Sequence, residues 1–77
     1  MTLQEIENEI IDYLIAKIGG DFSCSSRLNE ILDSLQIIDT VVFCEEHFGF
    51  EFEVDDLKYE NFNSVRSLSE CVFRKLV

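Results

Sequence analysis

Leu32-Asp33-Ser34-Leu35 runs without a break into Gln36-Ile37-Ile38-Asp39-Thr40-Val41-Val42-Phe43-Cys44-Glu45-Glu46-His47-Phe48-Gly49. A loop ends at an acid and a serine, and a long apolar helix begins there. Asp33 has the chemistry of an N-cap, because its carboxylate can accept bonds from N–H groups that a first turn leaves unpaired. Gly49 fits the position just past the helix, where the chain turns left-handed. Ser34 then sits exposed in the first turn, at the positive end of the helix dipole. A phosphate attached there is electrostatically favoured.

At about 100° per residue, Ile37, Val41, Cys44 and Phe48 fall together and form the expected core face, with Thr40 at its edge. Leu35, Ile38 and Val42 fall on a different side, beside Ser34, and are flanked by Asp39, Glu45 and Glu46. An apolar strip bordered by carboxylates and touching a helix-terminal serine reads as a docking surface for basic partners. Packing beneath the preceding loop is the alternative for the same three residues.

Working outward, Leu3, Ile6, Ile10, Tyr13, Leu14 and Ile18 recur at helical spacing, which predicts a first helix over 2–18. Thr2 with Glu5 forms a capping-box pattern, and Gly19-Gly20 ends the run. Residues 19–33 have no clear period and read as a long loop, with Phe22 and Leu28 as anchors on the core. A loop of that length in a small domain is often functional. Phe50, Phe52 and Val54 alternate with acids, but no second strand exists to pair with them, so the stretch reads as an extended connector with its phenylalanines turned inward. Residues 55–61 permit a short helix capped by an aspartate. Asn63-Ser64 caps a last helix whose stripe is Val65, Leu68, Cys71, Val72 and Leu76. Phe43, Phe48, Phe50, Phe52, Phe62 and Phe73 are expected to fill the interior. The sum is an all-α, four-helix bundle of three longer helices and one short one, with a long first loop. It forms one domain over 1–77.

Composition narrows the function. Seventy-seven residues lie near the lower limit for a self-sufficient core. The three cysteines, Cys24, Cys44 and Cys71, are odd in number and widely spaced, which argues against a disulfide framework or a metal cluster. Cys44 and Cys71 fall in apolar helix patterns and read as core residues, in a reducing cytoplasm. Six basic residues against sixteen acidic ones give a net charge of −10, which repels nucleic acid and steers basic partners. No segment reads as a signal peptide or a membrane span. His47, the single histidine, is thirteen residues beyond Ser34 on one helix, about 20 Å along its axis. It cannot serve Ser34 as a base, and no catalytic residue is assigned. The acids from Glu51 to Asp56 lack the glycine and ligand spacing of a calcium loop, and no metal site is assigned.

Asp33-Ser34-Leu35 at a helix start resembles the attachment site of the acyl carrier protein family, over about residues 28–77 and most strongly from Leu32 to Phe52. The resemblance implies that Ser34 carries a 4′-phosphopantetheine arm derived from coenzyme A, with Asp33 as its acidic neighbour, and that the arm's thiol holds acyl or aminoacyl groups as thioesters. It implies a monomeric carrier, not a catalyst. Its partners would be a phosphopantetheinyl transferase, an acyl- or aminoacyl-activating ligase, and synthase or transferase enzymes with basic docking surfaces. These would read Leu35, Ile38, Asp39, Val42, Glu45 and Glu46. The family usually has a glycine one or two residues before the Asp-Ser pair, where this chain has Ile31 and Glu30. Glu30-Ile31-Leu32-Asp33-Ser34 and the segment Asp56–Ser64 are similar to D-alanyl carriers and to discrete carriers of specialised pathways, such as polyketide or nonribosomal peptide synthesis. Fatty-acid biosynthesis is the other cargo. A carrier-like fold acting unmodified as an interaction module is the reading from a different class.

Overall fold

The computed structural model describes residues 1–77 as four α-helices and no strand: α1 (Leu3–Ile18), α2 (Leu28–Ile31), α3 (Ser34–Phe48) and α4 (Val65–Leu76). Two 3₁₀ turns, Val54–Asp56 and Tyr59–Phe62, lie between α3 and α4. The expected all-α bundle is therefore the fold.

The capping chemistry of α1 is complete. Thr2 Oγ1 accepts the Glu5 N–H at 3.2 Å, and Glu5 Oε1 accepts the Thr2 N–H at 2.7 Å. Gly19, at φ 87°, ends the helix in a conformation that a side chain would strain. Ile6, Ile10 and Leu14 are fully buried, while Ile18 is exposed at the helix end, where the glycines lead the chain away. The stripe is thus one turn shorter than its sequence period. Glu7 is also buried, and its carboxylate accepts Arg66 Nε at 2.6 Å.

The loop expected over 19–33 contains one helical turn, α2. No side chain caps it, and four residues cannot hold a helix in water by themselves. Burial of Leu28 holds it instead, and Phe22 is the second anchor, half-buried against the core. Backbone bonds from Val65 N to Ser26 O and from Arg66 N to Cys24 O fasten this loop to the start of α4.

After α3 the chain is extended. Phe50 and Phe52 pack on the core with rings edge to face at 4.8 Å, whereas Val54 is exposed and begins a 3₁₀ turn. The single short helix expected over 55–61 is replaced by the two turns. Asp56 does act as a cap, but backwards, accepting the Glu53 N–H at 2.8 Å. The chain then leaves helical geometry at Leu57, with φ −88° and ψ 42°.

Ser64 starts α4 by accepting the Ser67 N–H at 3.0 Å. Val65, Leu68, Cys71 and Val72 are buried as expected, Ser69 is buried with them, and Leu76 is exposed in the last turn. Packing of α1 on α4 forms the centre of the bundle. The core is aliphatic: Ile6, Ile10, Leu14, Leu28, Leu32, Val65, Leu68 and Val72, with Cys44 and Phe62. Each such side chain contributes about 1.5–3 kcal/mol on burial. Of the six phenylalanines expected inside, only Phe62 is buried; the other five are half-buried at the core's margin. Burial pushes the Cys44 thiol up to about 12, so it stays protonated and inert.

Candidate functional site

Ser34 is exposed in the first turn of α3. Asp33 holds the turn in a reciprocal capping box: its Oδ1 accepts the Gln36 N–H at 2.8 Å, and Gln36 Oε1 accepts the Asp33 N–H at 3.0 Å. The Ile37 N–H goes to Asp33 O at 3.0 Å. The N–H groups of Ser34 and Leu35 remain without a backbone acceptor, at the positive end of a fifteen-residue helix. Gly49 closes the other end in the left-handed conformation, with φ 73° and ψ 50°.

No residue from Glu30 to Leu32 has positive φ. Glu30 and Ile31 continue the helical turn of α2, and Leu32 is extended at φ −98° before the cap. The path into Asp33 therefore asks nothing of a glycine, and Ile31 and Glu30 fit it without strain.

Beside Ser34, Leu35 is 72 % exposed, Ile38 56 % and Val42 44 %. Asp39 and Glu46 are exposed on the same helix. Glu45 differs from its neighbours: it is half-buried, and its Oε2 accepts the Phe52 N–H at 2.9 Å, tying the extended connector to α3. The core side of α3 is centred on Thr40 and Cys44, which are the two fully buried residues of the helix. Ile37 and Val41, expected within the core, are half-buried at its edge.

That edge opens into a groove of about 500 Å³. Ile37, Ile38 and Val41 form one wall, Leu57, Lys58 and Tyr59 the other, with Asn29 and Phe62 completing the lining. Periodicity could not reveal it, because the outer wall is built by two short 3₁₀ turns and the residues joining them, which carry no long repeat. A third side of α3 faces α1. There Phe43 stacks on Tyr13 at 4.1 Å and on His47 at 4.9 Å, and His47 Nε2 meets Glu9 Oε1 at 3.1 Å. The histidine is half-exposed and engaged with α1, away from Ser34.

The phosphopantetheine attachment site family matches residues 29–72, more than half of the chain, from α2 to near the end of α4. No curated protein and no solved structure matches. No helix is long and apolar enough to cross a membrane. The geometry fits the group that the family carries: an exposed hydroxyl, free N–H donors and a helix dipole for a phosphate, with an apolar groove on the same helix. When bound, that group supplies a thiol on which an acyl group is held as a thioester, and the protein contributes presentation and recognition. The chain belongs to the phosphopantetheine attachment site family and is a carrier protein, not an enzyme, working through a 4′-phosphopantetheine arm.

Proposed function

We propose that Ser34 is the attachment residue. The observation that carries this is an exposed serine in the capped first turn of α3, with the Ser34 and Leu35 N–H groups free to meet a phosphate. Asp33 shapes that turn. The whole chain, 1–77, acts as one monomeric carrier domain, and its free cysteines suit a reducing, cytoplasmic setting.

Its partners are a phosphopantetheinyl transferase, a ligase that charges the thiol, and the synthase or transferase enzymes that take the cargo onward. Leu35, Ile38 and Val42 supply the apolar part of the docking surface. Asp39 and Glu46 supply charge, and Glu45 contributes its remaining carboxylate oxygen. A net charge of −10 steers enzymes with basic faces toward this surface.

The cargo belongs to a specialised or aminoacyl pathway rather than to housekeeping fatty-acid synthesis. The likeness of Glu30–Ser34 and Asp56–Ser64 to D-alanyl and discrete carriers supports this. The groove's aliphatic and aromatic lining favours, within that class, an acyl group with an apolar portion, because an alanyl group would leave it unfilled.

Incubation with coenzyme A and a promiscuous phosphopantetheinyl transferase should add one phosphopantetheinyl group to the intact mass, and Ser34→Ala should add none. A second reading, an unmodified interaction module, is favoured by Ile31 and Glu30 standing where glycine is usual. It becomes the better one if several transferases leave the mass unchanged while partner binding survives in Ser34→Ala.

A further inference from the structure

Little apolar burial holds the outer wall of the groove, residues 54–62. Val54 is 89 % exposed, Tyr59 72 % and Leu57 48 %, and only Phe62 is buried. Two short 3₁₀ turns add few backbone bonds of their own. Apart from Phe62, the fastening is polar. Asn29 Nδ2 on α2 donates to Tyr59 O at 2.8 Å, and Asn61 Nδ2 donates to Asp56 O at 2.6 Å.

A charged tie comes from α4. Lys75 Nζ lies 2.9 Å from Asp56 Oδ2 and 3.6 Å from Glu53 Oε1. The Lys75 and Asp56 side chains are each only 23 % exposed, so solvent and salt screen this pair less than an open surface pair. The Glu53 N–H and the Lys75 ammonium together hold the Asp56 carboxyl below its usual range. One end of the tie is rigid, since Cys71 and Val72 bury α4 one turn earlier. The other end is the exposed wall. Local opening is expected where apolar contacts are few and polar ones decide.

We propose that Lys75, acting through Asp56, is a positioning residue for the groove: it sets how readily residues 54–62 move away from α3, and so how firmly the apolar part of the carried group is held. The identity of the occupant rests on the carrier reading above; the tie itself does not.

Hydrogen exchange on the full chain, armed and loaded with an octanoyl thioester, tests this. Lys75→Met removes the charge and keeps the stem; Asp56→Asn removes the charge and keeps an acceptor for the Glu53 N–H. Each should speed exchange at the Leu57, Asn61 and Asn63 amides, which bond to Val54, Lys58 and Glu60 carbonyls, by about tenfold. The Ile10 and Leu14 amides of α1 should be unaffected. The double variant should exchange no faster than either single one, as expected for two halves of one interaction. Lys75→Arg should restore slow exchange, and octanoyl hydrolysis should follow the same order. Unchanged exchange, an equal rise throughout the chain, or additive effects in the double variant would overturn the proposal. Loading that leaves the Ile37, Ile38 and Val41 resonances unmoved would take the cargo out of the groove and overturn the positioning role, while exchange would still report on the tie.

Discussion

Asp33 is exposed, yet one oxygen of its carboxylate accepts the Gln36 N–H, so at this position an acidic neighbour of the serine is first a structural part. Replacing it with alanine leaves that donor unpaired and should lower stability by about 1 kcal/mol, whereas asparagine should retain most of the cap. Urea unfolding followed by circular dichroism separates the two. Asp56 gives a pH prediction. Its carboxyl is held below the ordinary value of 3.8, first by the Glu53 N–H and then by Lys75. Its stabilisation is therefore fully present above that value and is lost as pH falls through the lower, folded one. Comparing urea midpoints at pH 6 and pH 3, Asp56→Asn should lose less stability on acidification than the parent chain.

Each element shows where local rules end. Caps at Thr2, Asp33 and Ser64 were readable because a cap needs only a side-chain oxygen and an N–H three residues on. Gly49 was readable for a similar reason, and its positive φ makes a direct test: Gly49→Ala should cost about 1 kcal/mol, although open space surrounds the added methyl, because the strain lies in the backbone. Thermal unfolding measures it. By contrast, α2 has no cap and only one fully buried side chain, Leu28, so nothing in its own four residues marks it as helical. The two 3₁₀ turns were hidden likewise, since they carry no repeat and Asp56 has a partner in Lys75, nineteen residues away.

At the scale of the molecule, α3 divides its surface among three tasks. It presents Leu35, Ile38 and Val42 outward, buries Thr40 and Cys44, and stacks Phe43 and His47 toward α1. If the outward side is the docking surface, Leu35→Ala and Asp39→Lys should each lower kcat/KM of arm transfer several-fold, while Ile15→Ala, an exposed residue of α1, should leave it unchanged. Added salt should weaken transfer to the parent chain more than to Asp39→Lys. A mass-resolved time course of loading checks both statements.

The chain's own order of residues determined the capped starts of α1, α3 and α4, the glycine stops of α1 and α3, the exposed serine at the head of α3 and the apolar strip beside it, because capping and helical periodicity act over three or four neighbours. Tertiary structure alone decided the rest. Ile37 and Val41 read as core by their period, yet they are half-buried and line a groove, because residues 57–59 stand off from them. Glu45 looked like one more surface acid, yet it holds the Phe52 N–H. Glu7, which lies outside the apolar stripe of α1, is buried against Arg66. In each case the partner is distant in sequence or belongs to an irregular segment, and a contact of that kind leaves no local pattern to read.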